Sequence, residues 1–448
     1  MKKRYLQLLL LVTLAMPFLA SCGVNRWEEY YPLTQRDMWI DSLMREEYLW
    51  YKDIPSSESL NYFSEPATFL NSLLSSLDDG YSRIDSLYDV PETGYGFDYT
   101  LYSIADNDTA YNALVTYIIP GSPAEEAGLK RGEWIMMVDN EYITKKNETI
   151  LTEGTAKKLL VGTYDETTDE EGETVGFVKA DRETQLPATR DIQDKDIPVC
   201  QVLEQNGKHI GYMLYNTFSP DNADEVKQYA LQFKDSNVSD VVLDLRYNAG
   251  GDMESVELMA AILAPANQMG NALAQLKYSD KKSTKDRTLT LDESLLQGTA
   301  NLGLTRLYVL TSTTTAGASE MLINCLKPYM DVFIVGEKTK GQTVATEPFC
   351  SQKHSYCLRP VVCEVFNAQG TADYASGFTP DEQVGSLSNL ATVLPFGDPN
   401  ETLLAKAIAL INGETTSDEG VQTRLSRNMT AVKHVNTRRH FSTGLRMN

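Results

Sequence analysis

Apolar positions along this chain change their spacing several times, and each change marks an element. Residues 6–19 form one apolar run behind Lys2, Lys3 and Arg4. Trp39, Leu43, Tyr48, Leu49 and Trp50 then recur at roughly helical spacing, and Pro66 opens a second helical run, as proline does at a first helical position. An aromatic stripe at that spacing reads as core rather than as a ligand site. Residues 115–119 and 134–138 read as strands, separated by a turn at 120–123 and a short helix at 124–127 that Gly128 ends. The unbroken apolar run 241–243 predicts a buried parallel strand, and the paired glycines Gly250 and Gly251 follow it. Between 306 and 342 a β-rich run (307–310) leads into small residues (313–318), an amphipathic stretch carrying Met321, Leu322 and Leu326, and a second β-rich run (332–335). This predicts a strand, a tight elbow, a helix and a strand. Residues 163–173 read as a solvated acidic loop and 193–219 as a hairpin, and beyond 414 the periodicity is lost.

Composition narrows the classes. With 448 residues and 42% hydrophobic content the chain can bury more than one core, and length alone suggests two to four domains. A net charge of −22 argues against nucleic-acid binding, which needs a basic face. The last segment runs the other way, with six Lys/Arg after Glu419 and no acid. The basic start, the apolar run and Leu19-Ala20-Ser21-Cys22 resemble a bacterial lipoprotein signal with cleavage before Cys22 and acylation of its thiol. A transmembrane helix needs about 18 or more apolar residues, and this run is shorter and contains Pro17. After lipidation five of the six cysteines remain, so at least one is unpaired. Cys350 and Cys357 flank a short polar loop and are the leading disulfide pair, with free buried thiols as the alternative. No C-x-x-C pair exists and the four histidines are scattered, so no metal or other cofactor is expected.

The 306–342 segment carries the chemistry. Its A-G-A-S-E (316–320) and G-E-K-T-K-G-Q (336–342) resemble the S-A-S-E and G-E-x-T-x-G-K motifs of the C-terminal processing, or tail-specific, serine peptidases. In that family the first serine is the nucleophile and the motif's lysine its general base. The resemblance puts Gly317 at the serine position, Gln342 at the lysine position, and Thr346 where many members carry a glutamine that holds the lysine. A serine attacks only when a base takes its proton, and glycine and glutamine supply neither part. Ser319 is the fallback nucleophile. Two positions along a helix turn a side chain through about 200°, so it should point away from the cleft as a first-turn polar residue. The segment 239–251, SDVVLDLRYNAGG, matches the family's strand-and-glycine signature, and the resemblance implies that an amide in the Gly250–Gly251 turn forms half of an oxyanion hole. A tight turn without a ligand is the alternative.

Residues 115–140 resemble the core of a bacterial PDZ domain, with Tyr95, Gly96 and Phe97 at the place of the carboxylate-binding loop or, alternatively, at an ordinary strand start. The expected fold is therefore α/β: a crotonase/ClpP-like peptidase core with an N-terminal helical region and a PDZ-like β domain. The expected segments are a lipoprotein signal peptide (1–22), a helical region (23–86), a PDZ-like domain (87–182), a peptidase-like α/β domain (183–413) and a flexible basic tail (414–448). The expected function is that of an inactive, peptide-binding homologue in the cell envelope, anchored to a membrane through Cys22, whose partners are extended or C-terminal segments of exported proteins. An active endopeptidase with a displaced nucleophile and a structural envelope component are the alternatives.

Overall fold

The structure, a computed structural model, describes residues 27–78, 80–87, 92–104, 107–152, 154–168, 170, 172, 174–414, 429–436 and 444–447. The apolar leader and Cys22 lie outside the described residues. No described helix is long and apolar enough to cross a membrane.

Two six-stranded sheets form the core. The first runs in the order Val199–Gln205, Lys208–Leu214, Asp240–Asp244, Arg306–Thr311, Asp331–Gly336, Glu382–Gln383, and is parallel apart from the opening hairpin. All five residues of Asp240–Asp244 are buried, because both faces of the sheet are covered. Val241 and Leu243 face a layer containing the helices Ala223–Asp235, Met253–Leu263 and Ala318–Leu326, while Val242 joins the Thr402–Ile411 helix on the other face. This is why the sequence shows an unbroken apolar run rather than alternation. Each large side chain so buried contributes about 1.5–3 kcal/mol.

The second sheet packs on the far side of the same helical layer, in the order Gly250–Asp252, Gly444–Arg446, Val344–Thr346, Val361–Asn367, Ala272–Tyr278, Arg287–Thr290. Against it sits the N-terminal region: Ile40 and Met44 of the Trp27–Glu47 helix, and Tyr48 just beyond its end, pack with Phe69 and Leu70 and with Val344, Leu358 and Val361. Trp39, Leu43, Leu49 and Trp50 line the same cluster, so the aromatic stripe is core. Cys350 and Cys357 are joined as a disulfide across a hairpin, while Cys200, Cys325 and Cys363 are free.

A seven-stranded sheet forms the PDZ-like unit, with its own buried cluster of Tyr95, Phe97, Val115, Ile135 and Leu159 among others. Two expectations change here. Residues 163–168 belong to the strand Lys157–Thr168, which pairs with Thr174–Leu186 up to Thr168↔Thr174, so the acidic stretch is mostly hairpin and the second strand continues past residue 182. Tyr164, Thr167 and Thr168 suit a pleated, half-exposed surface and outweigh the acids.

The expected flexible tail is corrected at two places. Ala431–Val435 pairs antiparallel with Phe97–Ile104 at the edge of the PDZ-like sheet. Gly444–Arg446 lies inside the second core sheet, parallel to both neighbours. Met429, Leu445 and Met447 are buried, so three apolar side chains too sparse to show a period anchor the segment.

Candidate functional site

The Arg306–Thr311 strand ends in a turn whose Ala316 amide donates to the Asn248 carbonyl at 3.1 Å, and Gly317 caps the Ala318–Leu326 helix. Gly317 has φ 56° and ψ −106°, a backbone that L side chains rarely adopt and that suits a strained strand-to-helix elbow. Glu320, one turn into the helix, is fully buried and ties the elbow to the following loop. Its carboxylate accepts from the amides of Gly317 (3.1 Å), Gly341 (2.6 Å) and Gln342 (2.8 Å) and from the Thr339 hydroxyl (2.5 Å). Burial raises the Glu320 carboxyl above its ordinary range, against these hydrogen bonds, which favour the charge.

Gln342 is buried beside this clamp. Its Nε2 donates to the Val344 carbonyl at 3.0 Å, while its Oε1 is buried without a hydrogen-bond partner. The glycine turn comes alongside: Gly250 and Gly251 have φ 130° and 142°, and a Cβ on Gly251 would lie 2.1 Å from the Phe218 carbonyl oxygen. The Gly250 amide donates to Asn248 Oδ1 at 2.9 Å, and Asn248 Nδ2 donates to the Tyr215 carbonyl at 2.8 Å. Asn248 thus fastens the glycine turn to the elbow, and the Gly250 amide is committed to it.

Gly317, Gln342 and Gly250 converge on one residue, Gly444. A Cβ on Gly317 would lie 2.4 Å from the Gly444 carbonyl carbon, a Cβ on Gly250 would lie 2.1 Å from the Gly444 oxygen, and a Cβ on Gly444 would lie 2.4 Å from Gln342 Oε1. Thr346 donates its hydroxyl to the Leu445 carbonyl at 3.2 Å. Ser319 lies in the first helical turn, fully buried, with its Oγ 3.4 Å from the Asn248 carbonyl. Lys340, the lysine nearest Gln342 in sequence, does not stand in for the motif's base: its Nζ lies 5.1 Å from the Tyr81 ring centre. His354 packs against Trp39, and His209 meets the Ser236 carbonyl, both away from the elbow.

In the PDZ-like unit Tyr95 and Phe97 are buried and Gly96 has φ 81°, where a Cβ would lie 2.2 Å from Ser122 Cβ. The Tyr95 and Gly96 carbonyls accept from Ala124 N (2.9 Å) and Ile119 N (2.8 Å), which fixes the loop at the start of the Phe97–Ile104 strand.

A buried ion network docks this unit on the core. Arg246 Nε donates to Asp244 at 2.9 Å and its two terminal nitrogens to Glu401 at 2.6 and 3.0 Å, while Arg131 of the PDZ-like unit reaches Glu401 at 3.2 Å and the Leu394 carbonyl. Burial alone would raise Glu401, but Arg246, Arg131 and the helix amides of Leu403 and Leu404 hold it down to about 2. Sequence reading gave no role to Glu320, Asn248, Glu401 or Gly444. The first two sit inside the matched motifs, which was the available signal.

Comparison with known proteins identifies the family of the fold. The model of peptidase family S41 matches residues 209–384, that of the peptidase S41 N-terminal domain residues 36–83, and that of a PDZ domain residues 114–150. A crystal structure of a Bacteroides fragilis protein assigned to the S41 proteases is 47% identical, covers 84% of this chain and 97% of its own, and superposes with a TM-score of 0.80. A protein named as a CtpA-like serine protease from Staphylococcus epidermidis is 23% identical over 309 residues, which are 68% of this chain and 57% of that relative. A carboxyl-terminal-processing protease from Picosynechococcus is 27% identical over 228 residues, 50% of this chain and 49% of that relative. The chain thus spans about half the length of these two curated relatives. With core, N-terminal and PDZ segments all matched, and a crystallographic relative aligned over nearly its whole length, the chain belongs to peptidase family S41.

Proposed function

We propose that this chain is a peptide-binding member of the family without Ser-Lys acyl-enzyme chemistry. The observation that supports the reading is a strained strand-to-helix elbow at Gly317 beside the buried Gln342, the two residues that the motif resemblance sets at the serine and lysine positions. Acyl transfer to serine needs a nucleophile and a base within hydrogen-bond reach, and an amide takes no proton near neutral pH. What remains is recognition, through the backbone of Gly250–Asp252 and Val344–Thr346 that flanks Gly444–Arg446 and through the PDZ-like edge strand Phe97–Ile104 that Ala431–Val435 covers. The ligands of this reading are extended or C-terminal segments of exported proteins, met in the cell envelope by a protein lipidated on Cys22.

Purified protein should neither cleave unfolded casein nor form an adduct with a fluorophosphonate probe. Turnover abolished by Ser319→Ala would overturn the reading in favour of a displaced nucleophile. Incorporation of a radiolabelled fatty acid, lost in Cys22→Ala, tests the anchor.

A further inference from the structure

The strands Gly250–Asp252 and Val344–Thr346 are not paired with each other; Gly444–Arg446 lies between them and completes the sheet. Its register is Gly250↔Gly444, Gly251↔Leu445 and Asp252↔Arg446 on one side, and Ala345↔Leu445 and Thr346↔Arg446 on the other. Without it the sheet has a slot one strand wide, lined on both sides by backbone donors and acceptors. The same slot is bounded by Gly317 and Gln342, the two residues that the motif resemblance sets at the dyad positions.

We propose that residues 444–447 are a tethered ligand of the cleft, and that the cleft selects extended peptides of the class glycine–apolar–basic–apolar. This rests on the peptide-binding reading and adds to it the ligand class and its regulation. Each position of the class has a cause. Gly444 has φ 96° and no room for a Cβ beside Gln342. Leu445 and Met447 are buried in the main core cluster, where each apolar side chain gains from leaving water. Arg446 Nη2 meets Asp252 Oδ2 at 2.6 Å. The Gly444 amide donates to Ala249 O at 2.7 Å and the Met447 amide to Thr346 O at 2.9 Å, so the backbone is gripped at both ends.

A second anchor supports the same occupant. Ala431–Val435 adds antiparallel to Phe97–Ile104, the edge that follows the Tyr95–Phe97 loop, with His434 Nδ1 2.7 Å from Thr100 Oγ1 and Lys433 Nζ 2.6 Å from Glu148. Residues 431–435 and 444–446 therefore each lie on a strand-accepting edge. Tethering gives such a segment an effective concentration in the millimolar range, enough to hold off a free peptide of micromolar affinity.

The test uses the full chain in three forms, wild type, Gly444→Val and Arg446→Glu, with a fluorescein-labelled peptide Thr-Gly-Leu-Arg-Met and a control, Thr-Val-Leu-Glu-Met. Both variants should bind the first peptide at least about tenfold more tightly than wild type does, and neither should bind the control. Hydrogen exchange at 250–252 and 344–346 should quicken in the variants and slow again on adding the first peptide. Equal binding by all three forms, unchanged exchange, or loss of the whole fold in both variants would overturn the proposal and make the strand an ordinary core element. Variants that open and bind unfolded casein but not Thr-Gly-Leu-Arg-Met would also overturn it, leaving the peptide-binding reading standing. Variants that open and bind neither would remove both.

Discussion

Gly317 and Gly444 meet across the cleft: a Cβ on Gly317 would lie 2.4 Å from the carbonyl carbon of Gly444 and 2.5 Å from the nitrogen of Leu445. The Gly444–Leu445 peptide bond thus lies where a side chain on residue 317 would strike it. The native glycine avoids both the collision and the strain of φ 56°.

Introducing a hydroxyl and an amine at residues 317 and 342 should therefore direct them first at the chain itself. In the double variant Gly317→Ser, Gln342→Lys, the new hydroxyl is expected to attack the Gly444 carbonyl carbon while the new amine takes its proton and passes it to the departing Leu445 nitrogen. Water then releases the acyl group, and intact-mass spectrometry should show loss of residues 445–448. A chain that keeps its full mass while its 250–252 amides exchange rapidly would mean that the terminal strand leaves the cleft instead of being cut. Either single variant should keep its full mass, and Gly317→Ser should lose about 1–3 kcal/mol from backbone strain.

Glu320→Gln should destabilise the elbow although it conserves shape. Both carboxylate oxygens accept two hydrogen bonds, so an amide NH2 in place of either one faces two donors. Each buried donor left without a partner costs about 1–3 kcal/mol. A fall in urea stability of less than about 1 kcal/mol would show that the loop reorganises around the amide and that the clamp is not structural.

Stability should respond to acid through Glu401. Its carboxyl ionises at about 2 in the folded protein against 4.5 for an unperturbed glutamate. A depressed folded value means stability fully present above 4.5 and lost as pH falls through about 2, a contribution on the order of 3 kcal/mol. Glu320, whose value burial raises, acts with the opposite sign and loses stability as pH rises from 4.5. The melting-temperature gap between wild type and Glu401→Gln should therefore shrink as the pH is lowered from 5 to 2. A constant gap would assign the effect of Glu401 to packing rather than charge.

The PDZ-like edge should open when its own strand is removed. His434→Pro deletes a ladder donor from Ala431–Val435 and the His434–Thr100 hydrogen bond. Peptides ending in apolar residues should then bind with micromolar affinity, and amidating their C-terminus should weaken them if the amides near Gly96 recognise the charge. Equal binding of acid and amide forms would mean that the Tyr95–Phe97 loop reads no carboxylate.

Local pattern carried the elements with strict period or strong punctuation. The buried strand Asp240–Asp244, the strand-elbow-helix at 306–326 and the turn ending at Gly128 each follow from residues close in sequence, because a covered sheet demands an unbroken apolar run and a tight turn demands glycine. The sequence motifs also named Gly317, Gln342, Gly250 and Gly251, which the fold brings to one cleft.

Tertiary structure alone decided what fills that cleft. Gly444, Leu445 and Met447 lie far along the chain from every residue they touch, in a segment whose basic, sparsely apolar composition predicts solvation when it is read alone. Their burial comes from a slot built by residues 250–252 and 344–346, and a strand needs only a few well-placed side chains when both backbone edges are supplied by others. Glu320 and Glu401 follow the same rule: a buried carboxylate is tolerable only where donors converge on it, and those donors come from segments that only the fold brings together.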